Sequence, residues 1–413
     1  MLSQFTVKNY KSIRDEVTLD MQAAAISEHE DKIIKVTEKG NSKVSESFLP
    51  VTVIYGPNGG GKSNVLEALH VLESKVLRPI CAVCPNEGCG YKGRKLPIKP
   101  FLFSEITKDE PTEFEVFFRT AIAEYRYILH VKEEKIIYES LDRVKFETGR
   151  QSSLFERTGN AISLKGVFSG FKISDEMAET LPFLSYLGIT YEKNTIVSDV
   201  LSWFERGIYF LNYGNPMQEM STAIAKSDEL KQLMLNMIKE MDLDIDDFRV
   251  EEDDGDIEAY MSHNVGGYVE ELSLFEESSG TQKIFGVLPV IADSLVFGRT
   301  LVIDELDAKV HPLLLKYMIE LYTNPLSNKK GAQLIFTSHD LSTMNSNVFR
   351  RDEIWFVAKG NQQNSKLYSL VEFKNKNGES VRKDAKFDKQ YLEGKYGADP
   401  YLKKIIDWGD VDA

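Results

Sequence analysis

The sequence predicts an α/β fold: a parallel core sheet with a flanking antiparallel β-subdomain and a helical insertion. Three observations carry this reading. Val51–Tyr55, Leu301–Ile303 and Gln333–Thr337 are short, nearly continuous apolar runs that end in glycine, carboxylates or hydroxyl residues. Such runs fit strands covered on both faces, as in a parallel sheet. Residues 113–147 instead alternate and turn repeatedly, which fits antiparallel strands. Residues from about Asp175 to Met241 read mostly as helix, with a break at Asn212–Pro216.

The elements follow in order. Phe5 to Met21 alternates like a strand pair, and a polar connection leads through Ser47 to the run Val51–Tyr55. Val65, Leu66, Leu69, Leu72 and Val76 then recur at helical spacing. Residues 81–100 form an excursion rich in Cys, Gly and Pro, and 245–272 reads as a short acidic hairpin. A helical stretch Lys283–Val296 leads to Leu301–Ile303, and the tail from Ile354 adds strands and a short helical end. The expected division is an N-terminal lobe at 1–145, a mainly helical insertion at 146–242 and a C-terminal lobe at 243–413. Neither an internal repeat nor a low-complexity linker is evident.

Composition narrows the function. The 413 residues suffice for a large core, and a hydrophobic content of 42% is ordinary for a globular protein. The start MLSQFTVKNYKSIRDEV lacks the apolar core of a secretory signal. The stretch Ile284–Phe297 is interrupted by Pro289 and Asp293 and is too short to cross a bilayer. A cytoplasmic protein with no membrane association is therefore expected. With 64 Asp and Glu against 50 Lys and Arg, a formal charge of −14 argues against nucleic acid over the whole surface. A local basic groove is still compatible with that balance. Three cysteines, all between Cys81 and Cys89, do not look like a disulfide framework, which fits a reducing compartment.

The chemistry concentrates in a few segments. Gly56-Pro57-Asn58-Gly59-Gly60-Gly61-Lys62-Ser63 matches G-x-x-x-x-G-K-S between an expected strand and an expected helix. Glycines there let backbone N–H groups converge on phosphate oxygens at a helix N-terminus. Asn58 to Ser63, followed by Asn64, would cradle the nucleotide, with Lys62 at the β- and γ-phosphates and the Ser63 hydroxyl on Mg²⁺. ATP and Mg²⁺ are thus the expected ligands. Asp304 and Glu305 stand at the end of an apolar strand, where α/β sheets hold ligands. Asp304 suits the Mg²⁺ shell, and Glu305 suits a base for an attacking water. Ser278, Ser279 and Gly280 precede a helix and form either a second anion site or an ordinary helix cap. His339 follows the run Leu334–Phe336 as a structural histidine or as a neutral sensor of the γ-phosphate.

The order of these pieces resembles the ABC-type P-loop ATPase heads of the RecF, SMC and OLD group. That resemblance implies a Walker A loop at Gly56–Ser63, a signature at Ser278, Ser279 and Gly280, and Walker B at Leu301–Glu305. It also implies a D-loop carrying Asp307 and a switch role for His339. The signature reads SSGTQ rather than LSGGQ, and no Q-loop glutamine is evident near residues 95–110. In that group the signature meets ATP held by a second protomer, so a homodimer or higher homo-oligomer closed by ATP is implied.

A closer resemblance, to RloA-like ATPases, rests on Phe5–Ile13, Glu277–Phe285, Asp304–Pro312 and Tyr391–Gly397. Such proteins stand beside RloB-type TOPRIM nucleases and are related to ATPases of the PARIS and Septu antiphage systems. The resemblance implies an ATP hydrolase that regulates a separately encoded nuclease or toxin in prokaryotic antiviral defence. Only 74 residues follow His339, too few for a TOPRIM module of its own. The alternative function is a RecF-like repair ATPase that binds DNA directly, which the net acidity and absent heptad arms disfavour. A transporter's nucleotide-binding subunit fits less well, given the helical insert and the divergent signature.

Cys81, Cys84 and Cys89 have spacing that can serve zinc, with His70 as a conceivable fourth ligand; three free thiols are the simpler reading. Lys92, Arg94 and Lys95 make the same excursion basic, either as a solvated cluster or as a nucleic-acid or acidic-partner contact. The acidic run Glu251–Asp256 is read as a solvated stretch, with a mimic of nucleic-acid charge or a dock for a basic partner as the competing reading.

Overall fold

The runs without polar interruptions form the centre of the molecule. The computed structural model describes residues 1–37, 45–78, 98–174, 177–211, 228–241, 243–253, 256–375 and 377–398. Six strands lie side by side in the order Ile208–Leu211, Thr300–Ile303, Gln333–Thr337, Val51–Tyr55, Ile354–Lys359 and Ser365–Ser369. The first five run parallel, and the sixth is antiparallel to its neighbour. Thr300–Ile303, Gln333–Thr337 and Val51–Tyr55 are buried at every position.

Their side chains alternate between two cores, as the pleat requires. Leu301, Ile303, Leu334, Phe336, Val53 and Tyr55 join one core with residues of the helices Asp228–Glu240, Ser279–Phe297 and Pro312–Thr323. Val302, Ile335 and Ile54 join the other, which contains the apolar face of helix Lys62–Leu77 and residues of a second sheet. That second sheet has seven antiparallel strands, ordered Ala161–Leu164, Arg150–Thr158, Lys135–Lys145, Ala123–Lys132, Thr112–Arg119, Leu2–Lys8 and Val17–Asp20. The expected α/β class, with a parallel core sheet and a flanking antiparallel sheet, is therefore the observed one.

Two features differ from the sequence reading. The segment 146–242 opens on strands Arg150–Thr158 and Ala161–Leu164 before its helices Phe183–Thr190 and Thr195–Ser202. It also supplies Ile208–Leu211, which pairs in parallel with Thr300–Ile303 and so belongs to the core sheet. A four-residue apolar run cannot be told from buried helix by periodicity; its neighbour strand decides. The acidic region read as a hairpin is a three-stranded sheet, Asp247–Asp253, Asp256–Val265 and Tyr268–Ser273. The expected break at 212–216 lies outside the described residues.

Helix Ser279–Phe297 runs through Pro289. Among the described residues it is the one helix long and apolar enough to cross a membrane, yet 61% of its apolar window is buried inside the fold. Its surroundings are those of a core helix.

The helical part of 146–242 is tied to the antiparallel sheet by one buried carboxylate. Glu139 accepts hydrogen bonds from Phe183 N at 2.6 Å, Leu184 N at 2.9 Å and the Tyr127 hydroxyl at 2.9 Å. The fully buried Arg157 guanidinium stands 3.9 Å away. Burial raises the Glu139 pKa even against these stabilising partners. The carboxylate thereby caps helix Phe183–Thr190, whose own cap residue Pro182 offers no side-chain acceptor. Glu139→Ala is expected to lower unfolding free energy by about 3 kcal/mol, because it strands buried donors and a buried cation. Urea denaturation of the full chain measures it.

Candidate functional site

Parallel register brings distant segments to one edge. Ile303 pairs with Phe336, Phe336 with Val53, and Thr337 with Ile54. Gly56, Asp304 and Ser338, which come next along their strands, therefore emerge together at the carboxyl edge of the sheet, where α/β folds bind ligands.

The loop Gly56–Ser63 is shaped by its glycines. Gly56 has φ 152°, and a Cβ there would lie 2.4 Å from the Val357 carbonyl oxygen. Gly61, at φ 108°, caps helix Lys62–Leu77. A Cβ on Gly61 would meet Ser365 Oγ at 2.3 Å and Ser12 Oγ at 2.6 Å. No side chain caps this helix start, and its first turn holds no acid, so its amides are left for an external anion. Lys62 is buried, and its Nζ donates to the Gly56 carbonyl at 3.0 Å and the Pro57 carbonyl at 3.4 Å. Desolvation lowers its pKa, opposed by the Asp304, Glu305 and Asp307 carboxylates. Asn58, Gly59 and Ser63 are exposed along the loop.

Two serines fasten this loop from outside. Ser365 Oγ donates to the Gly60 carbonyl at 2.6 Å and accepts from Ser12 Oγ at 2.7 Å. Asn64, read from the sequence as a nucleotide contact, donates to Ser12 Oγ at 2.6 Å. Sequence reasoning did not single out Ser12 or Ser365 as site residues. Serines lying far from the motif in sequence give no spacing signal.

The acidic edge faces the helix start. Ser63 and Asp304 line one cavity of about 200 Å³ together with Glu67, His70 and Phe210. Thr337, also unforeseen, holds both acidic neighbours: its hydroxyl donates to Asp304 Oδ1 and accepts from Glu305 N at 2.7 Å. Glu305 is exposed and adopts φ 50°, the left-handed region that a non-glycine residue rarely occupies. Asp307 Oδ2 accepts from His339 N at 3.0 Å, while its Oδ1 is buried without a hydrogen-bond partner. The imidazole of His339 is exposed at this edge.

Ser278 caps helix Ser279–Phe297 by accepting from Thr281 N at 3.1 Å, so the ordinary helix-cap reading is fulfilled. A Cβ built on Gly280 would lie 3.2 Å from the Lys309 carbonyl, which sets the helix start against the turn that follows Asp307. Lys283 Nζ donates to the Glu305 carbonyl at 2.8 Å. Burial lowers the Lys283 pKa to about 8, with Lys309 adding to the effect and Asp307 and Glu305 opposing it. Among the described residues, no hydrogen bond joins Ser278, Ser279 or Gly280 to the loop Gly56–Ser63 of the same chain.

Cys81, Cys84 and Cys89, with the basic Lys92, Arg94 and Lys95, lie outside the described residues. His70, named as a fourth zinc ligand, stacks on Phe210 at 4.6 Å, and burial lowers its pKa to about 4. Among the described residues, no cluster of His, Cys, Asp and Glu is arranged to hold a metal ion by itself.

A family profile for "AAA domain, putative AbiEii toxin, Type IV TA system" matches residues 51–345, from the strand before the phosphate loop to just beyond His339. The chain belongs to this AAA family. It is thus an AAA-type P-loop domain, with the loop, the acidic pair and His339 all inside the matched region. No curated protein matches the chain. Solved structures similar to it include "SMC head domain from Thermotoga maritima", at 13% identity and TM-score 0.42, covering 89% of this chain and 98% of that one. Another is the SMC head bound to the C-winged helix domain of ScpA, at 13% identity and TM-score 0.45, covering 89% and 97%. At such scores these likenesses bear no argument.

Gly61→Ala is expected to lower unfolding free energy by about 2 kcal/mol, since it combines left-handed strain with overpacking against Ser12 and Ser365. Thermal denaturation checks the stability loss, and titration with a fluorescent ATP analogue should show weakened binding.

Proposed function

We propose that this AAA-family chain hydrolyses ATP at the sheet edge formed by Gly56–Ser63, Asp304, Glu305 and His339. One observation carries the reading: Ser63 and Asp304 share a cavity beside a glycine-rich loop and an uncapped helix start. A hydroxyl and a carboxylate are hard oxygen donors, which suits Mg²⁺. Bound there with ATP, Mg²⁺ would neutralise charge on the phosphate oxygens.

The chain's own groups divide the remaining work. Helix-start amides and Asn58–Gly61 hold phosphate oxygens, and Lys62 exchanges its present carbonyl partners for the β- and γ-phosphates. Glu305 orients water and accepts its proton, while Asp307, accepting from the His339 backbone N–H, holds the turn from which the imidazole reaches the γ-phosphate. Ser278, Ser279 and Gly280 have no hydrogen bond to their own phosphate loop among the described residues, which supports their use on a second copy's nucleotide. ATP then closes a head-to-tail homodimer. Its physiological role is control of a separately encoded nuclease or toxin in antiviral defence. The likeness of Phe5–Ile13 and Tyr391–Gly397 to RloA-like ATPases supports that role. The toxin system named in the family's description is compatible with it.

Glu305→Gln is expected to reduce turnover about 1000-fold while preserving ATP binding, as loss of a general base does. It should also accumulate an ATP-bound dimer. Phosphate release and light scattering with saturating MgATP measure the two effects. Normal turnover by a monomeric variant would sink the mechanism.

A further inference from the structure

Lys283 occupies a costly position. It lies near the N-terminus of helix Ser279–Phe297, the end where a helix dipole disfavours cations, and it is half-buried. Lys309 nearby adds repulsion. From there the ammonium donates a 2.8 Å bond to the carbonyl of Glu305.

That carbonyl belongs to the strained residue of the site. Glu305 has φ 50°, the left-handed region that a residue with a Cβ rarely adopts. Both flanking peptide groups are fixed from outside: Thr337 Oγ1 accepts the Glu305 N–H, and Lys283 donates to the Glu305 C=O. The Leu306 N–H also bonds the Thr337 carbonyl at 3.2 Å. With both peptides pinned, the direction of the Glu305 Cα–Cβ bond, from which the carboxylate swings, is set by backbone geometry. The exposed carboxylate has no hydrogen-bonded side-chain partner among the described residues to set it otherwise.

The two anchors differ in origin. Thr337 belongs to the neighbouring core strand and is present whatever binds. Lys283 stands on the helix that begins with Ser279 and Gly280, and Gly280 packs against the Lys309 carbonyl of the same turn. We propose that Lys283 is a positioning residue: it holds the Glu305 turn and makes the carboxylate's aim depend on the helix that carries Ser278–Gly280. This deepens the function proposed above and rests on Glu305 as the base. A shift of the helix start on meeting a second copy's nucleotide would move the Lys283 ammonium, and with it the Glu305 peptide.

The test compares Lys283→Met, Lys283→Arg and Glu305→Gln in the full chain. Lys283→Met is expected to lower kcat about 100-fold, the effect of misaligning a catalytic group by about 1 Å. KM for ATP and the affinity for a fluorescent ATP analogue should change by less than about threefold, because the ground-state phosphate contacts are untouched. Lys283→Arg, which keeps a charged donor, should restore kcat to within about tenfold of the parent. A merely structural lysine would instead lower the melting temperature and weaken ATP binding along with kcat. If Lys283→Met folds poorly, Lys283→Gln, whose shorter side chain falls short of the Glu305 carbonyl, should show the same loss of kcat with KM retained. Lys283→Met with parental kcat overturns the inference, as does a loss of kcat matched by lost ATP binding. If Glu305→Gln is inactive in that case, only this inference fails; if Glu305→Gln turns over normally, the base assignment itself fails.

Discussion

The site depends on one constraint, the parallel register of three fully buried strands. Val51–Tyr55, Gln333–Thr337 and Thr300–Ile303 are fixed against each other by backbone hydrogen bonds and by burial of both faces. Slipping one of them by a residue would exchange every side chain between the two cores. Because register is that strongly specified, Gly56, Asp304 and Ser338 have no freedom to separate. Chemistry carried by three segments spread over nearly 300 residues of chain becomes one edge.

Around that edge the fold adds fasteners rather than more chemistry. Ser12 comes from the turn after the first strand, and Ser365 begins the antiparallel edge strand; both hold the phosphate loop. Thr337 holds Asp304 and the Glu305 peptide from the strand between them and the loop. Lys283 reaches the same peptide from a helix. Each fastener satisfies a polar group in a partly buried place, where leaving it unpaired costs about 1–3 kcal/mol. Loop and acidic edge are thus rigid with respect to the sheet. The side chains that would meet ligand, Ser63, Glu305 and His339, remain exposed.

Much of this was legible beforehand, for identifiable reasons. The loop Gly56–Ser63 is a local motif, so its glycines announce both the turn and its purpose. The runs Val51–Tyr55 and Gln333–Thr337 coincide with the observed strands because strands buried on both faces show no alternation to misread. Ile208–Leu211 was misread as helical territory because four apolar residues carry no periodicity of their own. The acidic hairpin gained a third strand, Tyr268–Ser273, whose exposed, mixed residues give little sign of pairing.

By itself the sequence determined the α/β class, the phosphate loop and the acidic pair at a strand end. These are written in residues adjacent along the chain, where local sterics and charge suffice. Only the tertiary structure decided that Thr337, Ser12, Ser365 and Lys283 serve the same edge, and that Asp307 holds the His339 backbone. A serine, threonine or lysine has no local signature for such work. Its role comes from which carbonyl, hydroxyl or amide the fold brings within about 3 Å.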